Sequence, residues 1–86
     1  MKEFIIKISY SWGDKEEPIE HSAKNEYDAF MHMIDLASTE AKVSMEMDGD
    51  LTEINSTSIK IYPSLRKIVL HYGYDDEECY YELEEI

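Results

Sequence analysis

Residues 2–12 read KEFIIKISYSW, and their alternation decides the kind of fold this chain can adopt. Phe4, Ile6, Ile8, Tyr10 and Trp12 recur at every second position, while Ile5 falls on the opposite face. Period two is the signature of a strand with one face in a core. Gly13-Asp14 ends the run. The polar stretch 13–22 (GDKEEPIEHS), with Pro18 inside it, reads as an exposed loop.

The periodicity then changes. Over residues 24–41, Tyr27, Phe30, Met31, Ile34 and Ala41 follow the spacing of an amphipathic helix. Asn25 stands where a helix cap belongs, with Asp28 three residues on as an imperfect capping box. Glu26 and Asp28 suit the positive end of the helix dipole. Val43, Met45 and Met47 alternate with polar residues, and Asp48-Gly49-Asp50 has the make-up of a hairpin turn returning through Leu51–Ile54. A strand over 43–47 is therefore expected, against the alternative that the helix runs on to Met47 and stops at Gly49.

Ser58–Tyr62 is predicted to be a strand with Ile59 and Ile61 on one face, followed by a turn at Pro63-Ser64. Arg66–Tyr74 and Glu78–Ile86 are predicted strands separated by a turn at Asp75-Asp76-Glu77. The fold class implied is α+β: one amphipathic helix packed on a mostly antiparallel β-sheet, in the order β-α-β(β)-β-β-β. The expected core is Phe4, Ile6, Ile8, Phe30, Ile34, Ile61, Val69 and Leu83, with Ile68 and Leu70 competing with Val69 for the same face.

Residues 1–86 are enough chain for one hydrophobic core and too little for two, and with no repeat or low-complexity linker they are expected to form one complete, compact domain. The composition, 43% apolar with seven Tyr, two Phe and one Trp, opposes disorder. Twenty acids against eight Lys and Arg give a formal net charge of −12. Such a surface repels nucleic acid and anionic membranes and attracts basic proteins, although plain solubility explains many acidic proteins equally well. Cys79 is the lone cysteine, so no disulfide forms within the chain and a reducing, cytoplasmic compartment is expected. Phe4-Ile5-Ile6 is followed at once by Lys7, unlike a signal peptide, and no apolar run approaches the length of a membrane span.

No enzyme is expected. A nucleophile elbow, a phosphate loop and a dinucleotide fingerprint are all missing, and three glycines are too few for a phosphate cradle. Cys79 has His21, His32 and His71 for company, but its neighbours are carboxylates, which disfavour a thiolate. The same four residues match no metal-ligand spacing, and Asp48-Gly49-Asp50 with Glu53 falls short of a calcium loop. No cofactor and no metal is expected. Met31, Met33, Met45 and Met47 read as core filler or as an adaptable groove, and Trp12 as an exposed anchor or as a cap on the core.

The acid run is the feature singled out. Between residues 75 and 85 stand seven acids, Asp75, Asp76, Glu77, Glu78, Glu82, Glu84 and Glu85, and no Lys or Arg follows Lys67. On an extended strand Glu78, Tyr80, Glu82 and Glu84 share a face, spaced about 6.8 Å apart. Solvated faces usually intersperse both signs, and along the sequence this one does not. Tyr80 adds a flat, amphipathic contact.

In size, charge and the run Asp75–Glu85 (DDEECYYELEE), the chain resembles the DNA-mimicking inhibitors made by phages and mobile elements, the anti-CRISPR and anti-restriction proteins. The resemblance implies a non-enzymatic inhibitor whose carboxylates pair with the Arg and Lys of a basic nucleic-acid-binding protein, such as an RNA-guided nuclease, in the cytoplasm of a bacterial host. The partner-binding residues would be Asp75, Asp76, Glu77, Glu78, Tyr80, Glu82, Glu84 and Glu85. Reversing Glu78, Glu82 and Glu84 to Lys would then abolish binding and relieve self-repulsion, and reversal at Glu16, Glu17 and Glu20 would serve as the control. The competing expectation is a small acidic accessory protein that self-associates through a sheet edge.

Overall fold

The computed structural model describes residues 1–47, 57–73 and 76–86. Among them, five strands form one antiparallel sheet with a single α-helix packed across it, so the chain is α+β. The strands are β1 (Lys2–Tyr10), β2 (Ile19–Ala23), β3 (Ser58–Tyr62), β4 (Lys67–Tyr72) and β5 (Glu77–Glu85), and the helix α1 (Glu26–Met47) follows β2. Their order across the sheet is β2-β1-β5-β4-β3, so the first and last strands are neighbours in its middle.

The alternation in β1 does what its spacing predicts. Phe4 and Ile6 are buried, Ile8 packs against the core, and Ile5 points to the other face beside Glu84 and Glu20. In β5, Cys79, Tyr81 and Leu83 are buried and alternate with Glu78, Tyr80, Glu82 and Glu84. In β4 the competition is settled: Ile68, Leu70 and Tyr72 face inward, and Val69 lies on the outer face. Ile61 was expected in the core and is 42% exposed, because β3 is an edge strand and the inner face thins out there. Phe30 and Ile34 pack against the core while remaining partly exposed.

Three expectations are corrected. The first concerns 13–22, where residues 19–23 form a strand and not a loop. Register pairs Ile6 with Ile19 and Phe4 with His21. An edge strand is hydrogen-bonded on one side and need bury little; in β2 only Ala23 is buried, so no hydrophobic period is written into it. The second concerns 43–47, which continue the helix and form no strand. Met, Glu, Lys and Ala are good helix formers, and no breaker stands before Gly49, so an established helix propagates through the alternating pattern. The hairpin turn at 48–50 and its return arm lie outside the described residues. Among the described residues the order is thus β-β-α-β-β-β.

The third correction concerns the helix stripe. Ala29, Met33, Ala37 and Ala41 are its buried row, whereas Tyr27 is 70% and Met31 42% exposed. The sheet supplies the bulk, through Phe4, Ile6, Leu70, Tyr72 and Tyr81, and small side chains on the helix let the two layers approach. Of the expected stripe, Ala41 lies in that row, Phe30 and Ile34 flank it one position away, and Tyr27 and Met31 fall outside it. The cap at Asn25 is in place: its Oδ1 accepts from the Asp28 N–H at 2.8 Å.

Candidate functional site

At one end of the sheet the β1–β2 connection meets the β4–β5 turn. Gly13, with φ at 100°, permits a tight reversal in which its N–H donates to the Tyr10 carbonyl at 3.0 Å and the Tyr10 N–H donates to the Asp14 carbonyl at 2.9 Å. This turn lifts Trp12 off the end of β1. Its ring stacks on Tyr10 at 4.5 Å between centroids, leans on Tyr72 at 6.4 Å, and remains 48% exposed. Tyr10 and Tyr72 thus hold the indole from behind and leave its outer side to solvent.

Carboxylates surround this aromatic corner. Asp14 accepts from the Trp12 indole N–H at 2.9 Å, and Glu16 accepts from the Tyr10 hydroxyl at 2.8 Å. Burial, and then the bond to Glu16, push the Tyr10 phenol well above its ordinary value. From the start of β5, Glu77 meets the Ser11 hydroxyl, and Ser11 makes two bonds to the Glu78 backbone: its N–H donates to the Glu78 carbonyl at 2.9 Å, and its Oγ accepts from the Glu78 N–H at 2.8 Å. Asp76, in the left-handed region at φ 60°, sits 3.2 Å from His71, whose other ring nitrogen is 4.0 Å from Glu78. The Tyr80 hydroxyl donates to Glu78 at 3.1 Å, and that bond raises the Tyr80 phenol above its usual range. Behind the corner the Tyr72 hydroxyl donates to Glu40 at 3.4 Å.

The acid run therefore divides. Glu77 joins the Trp12 corner through Ser11, Asp76 and Glu78 gather round His71 on the opposite face of the sheet, and Glu82, Glu84 and Glu85 lie toward the far end of β5. Asp75 lies outside the described residues. At the far end the expectation of a face with one sign of charge is overturned by strand pairing. Lys7 reaches Glu84 at 3.0 Å and Lys2 reaches Glu85 at 3.8 Å. Glu82 is directly opposite Lys7 on one side and Lys67 on the other. The Lys67 ammonium lies 5.0 Å from the centre of the Tyr80 ring. These lysines are distant in sequence and adjacent in the sheet, so counting charges along the chain misses them.

Asp14, Glu16, Glu17 and Glu20 make no ion pair with Lys or Arg among the described residues, and Glu16, Glu17 and Glu20 are the acids that sequence reasoning set aside as a control. The signal that could have found the corner is Trp12-Gly13-Asp14: a large aromatic at a strand end, followed by a residue that permits a left-handed turn.

Cys79 is fully buried, and its thiol is pushed up to about 11 by that burial, against opposing bonds from the Tyr72 and Tyr81 hydroxyls. Such a thiol supplies no nucleophile near neutrality. No group of three or more His, Cys, Asp or Glu among the described residues is arranged to hold a metal ion. No helix among them is long and apolar enough to cross a membrane. Compared with protein-family models, curated proteins and solved structures, the chain matches none.

Proposed function

We propose that the chain is a non-enzymatic inhibitor that binds a basic nucleic-acid-binding protein, such as an RNA-guided nuclease, in place of its DNA or RNA. The observation that carries this reading is the Trp12 corner. There an indole held from behind by two tyrosines stands beside Asp14, Glu16 and, through Ser11, Glu77. Nucleic-acid channels present arginine and lysine to phosphates and bases. A guanidinium stacks on an aromatic face and pairs with carboxylates at once, so this surface offers both halves of what such an arginine binds in nucleic acid. The mechanism is occupancy: with the channel filled, the true ligand is excluded and no bond is made or broken.

Relative to the sequence reading, the contact moves from the whole acid run to the β1–β2 connection together with Glu77. Glu82, Glu84 and Glu85 contribute long-range attraction, because their near field is already met by lysines.

The test is binding to a panel of purified guide-loaded nucleases, with target DNA as competitor. Binding that falls as target DNA or salt rises, and that is lost in Trp12→Ala and in the pair Asp14→Asn with Glu16→Gln, supports the reading. Binding indifferent to both competitor and salt, or to these substitutions, refutes it.

A further inference from the structure

Among the described residues the sheet has two open edges, and they are built differently. β2 carries Glu20 and is preceded by Glu16, Glu17 and Pro18, the charge and proline that keep edges from pairing. The opposite edge, β3, belongs to a stretch with the reverse balance. From Ile54 to Tyr74 the sequence holds no Asp or Glu, yet it holds Lys60, Arg66 and Lys67, in a chain with 20 acids.

Around β3 the surface is also apolar. Ile61 is 42% and Leu65 68% exposed, and Tyr27 and Met31 stand out from the neighbouring helix. A depression of about 280 Å³ lined by Glu26, Tyr27, Phe30 and Pro63 lies where the start of α1 meets the end of β3. Glu26 pairs there with Arg66, so the carboxylate lining that depression is already matched.

Charge selects the occupant. Two bodies of net charge −12 repel through any surface where carboxylates dominate. Among the described residues, the β3 sector is where a second copy approaches without setting carboxylate against carboxylate. We propose that β3 is a self-association edge, where two copies pair β3 with β3 antiparallel about a two-fold axis through Ile61 and join their sheets into one.

The register follows from the faces. An axis normal to the sheet must pass through a residue of β3, since directly opposed residues share a face. Through Lys60 it would set two ammonium groups opposite each other, which is unfavourable. Through Ile59 it would match Ile61 with Thr57. Through Ile61 it sets Ile61 against its own copy on the helix side and Lys60 against Tyr62 of the second copy on the outer side. The sheet already uses the latter kind of contact, with the Lys67 ammonium 5.0 Å from the Tyr80 ring centre. In this register the single lysine on the edge recruits a second copy rather than blocking it.

The experiment is sedimentation of the intact protein up to ~1 mM, a range that detects even weak association, at low and high salt. A dimer of the 10.1 kDa chain is expected, and salt should strengthen it by screening the repulsion of the two bodies. Ile61→Lys should weaken association at least ~10-fold while the circular dichroism of the fold persists. An independent variant fixes the register: Ile61→Cys should form an oxidised dimer, because the two Cα atoms would fall within the roughly 4.4–6.8 Å that a disulfide requires, and Ser58→Cys should not. Cys79 is buried and does not confuse the result. A monomer at every concentration and salt overturns the proposal. So does a dimer unaffected by Ile61→Lys, or cross-linking no faster at position 61 than at 58.

Discussion

Replacing Glu82 by lysine would put three ammonium groups side by side, because Glu82 is the direct cross-strand partner of Lys7 on β1 and of Lys67 on β4. Opposite charges in such positions contribute roughly 0.2–1 kcal/mol, and like charges destabilise. Two favourable pairs are lost and two unfavourable ones made. The side chains are exposed, so screening discounts the upper end, and a loss of about 1–3 kcal/mol remains. For a domain of this size each kcal/mol moves the melting temperature by about 4–8 °C, so a fall of roughly 5–20 °C is expected. Net charge alone argues the other way. Glu82→Lys takes the chain from −12 to −10 (−12 + 2), and relief of self-repulsion would raise stability. The sign therefore distinguishes local pairing from bulk charge. The measurement is thermal unfolding by circular dichroism at about 20 mM and about 1 M salt, where the Debye length falls to about 3 Å and the deficit should shrink. Glu17→Lys, at an acid outside the strands that register sets opposite no lysine, is the comparison and should be neutral or stabilising. If Glu82→Lys melts at or above the wild-type temperature in low salt, the cross-strand argument is wrong.

Leu70→Ala empties a fully buried position between β3 and β5 and should cost about 2–5 kcal/mol, read as a lower urea midpoint at unchanged slope. Asn25→Ala removes the acceptor of the Asp28 N–H and should cost about 0.5–2 kcal/mol, with Asn25→Asp restoring most of it. Alkali should also destabilise the fold. Burial lifts the Cys79 thiol from 9.0 to about 11 and the Tyr72 and Tyr81 phenols higher still, so the unfolded chain loses these protons first. The contribution of Cys79 is whole below pH 9.0 and is lost as pH rises through about 11, so a urea midpoint that stays constant across that window would contradict it. For the same reason Cys79 should react with thiol reagents at the rate of global unfolding, and labelling as fast as that of a free thiol would mean that the core opens locally.

What the sequence made legible was whatever repeats on a short period against a buried face. β1 and β5 each have one face in the core, and their alternation of large apolar with polar residues gave their span and facing within a residue or two. The helix was legible as a helix but only in part in its rotation, because its buried row is Ala29, Met33, Ala37 and Ala41, three of them alanines that carry little hydrophobic signal. β2 was illegible because an edge strand need not be amphipathic, and 43–47 misled because methionine and valine at alternate positions suit either element. The site failed for a different reason. Charge was counted along the chain, whereas the field at Glu82 and Glu84 is set by Lys7 and Lys67, which strand pairing brings alongside. No local window contains that information.

The pairing of β1 with β5 also bears on how this chain comes to be folded at all. Phe4 is matched with Glu85, and the Ile86 N–H donates to the Glu3 carbonyl at 2.9 Å, so the middle of the sheet is a seam between strands some eighty residues apart in sequence, the earlier of which is made long before the later. As the chain leaves the ribosome, β1, β2 and α1 can assemble, but the flank of β1 that awaits β5 stays open until synthesis has passed Glu85. Closing that seam brings together nearly the whole length of the chain, the kind of contact that slows folding most. Removing β5 would delete the central strand rather than trim an edge. Joining residues 86 and 1 by a short linker, and opening the chain between Ser11 and Pro18, would turn the seam into a hairpin and should speed folding while keeping the same sheet.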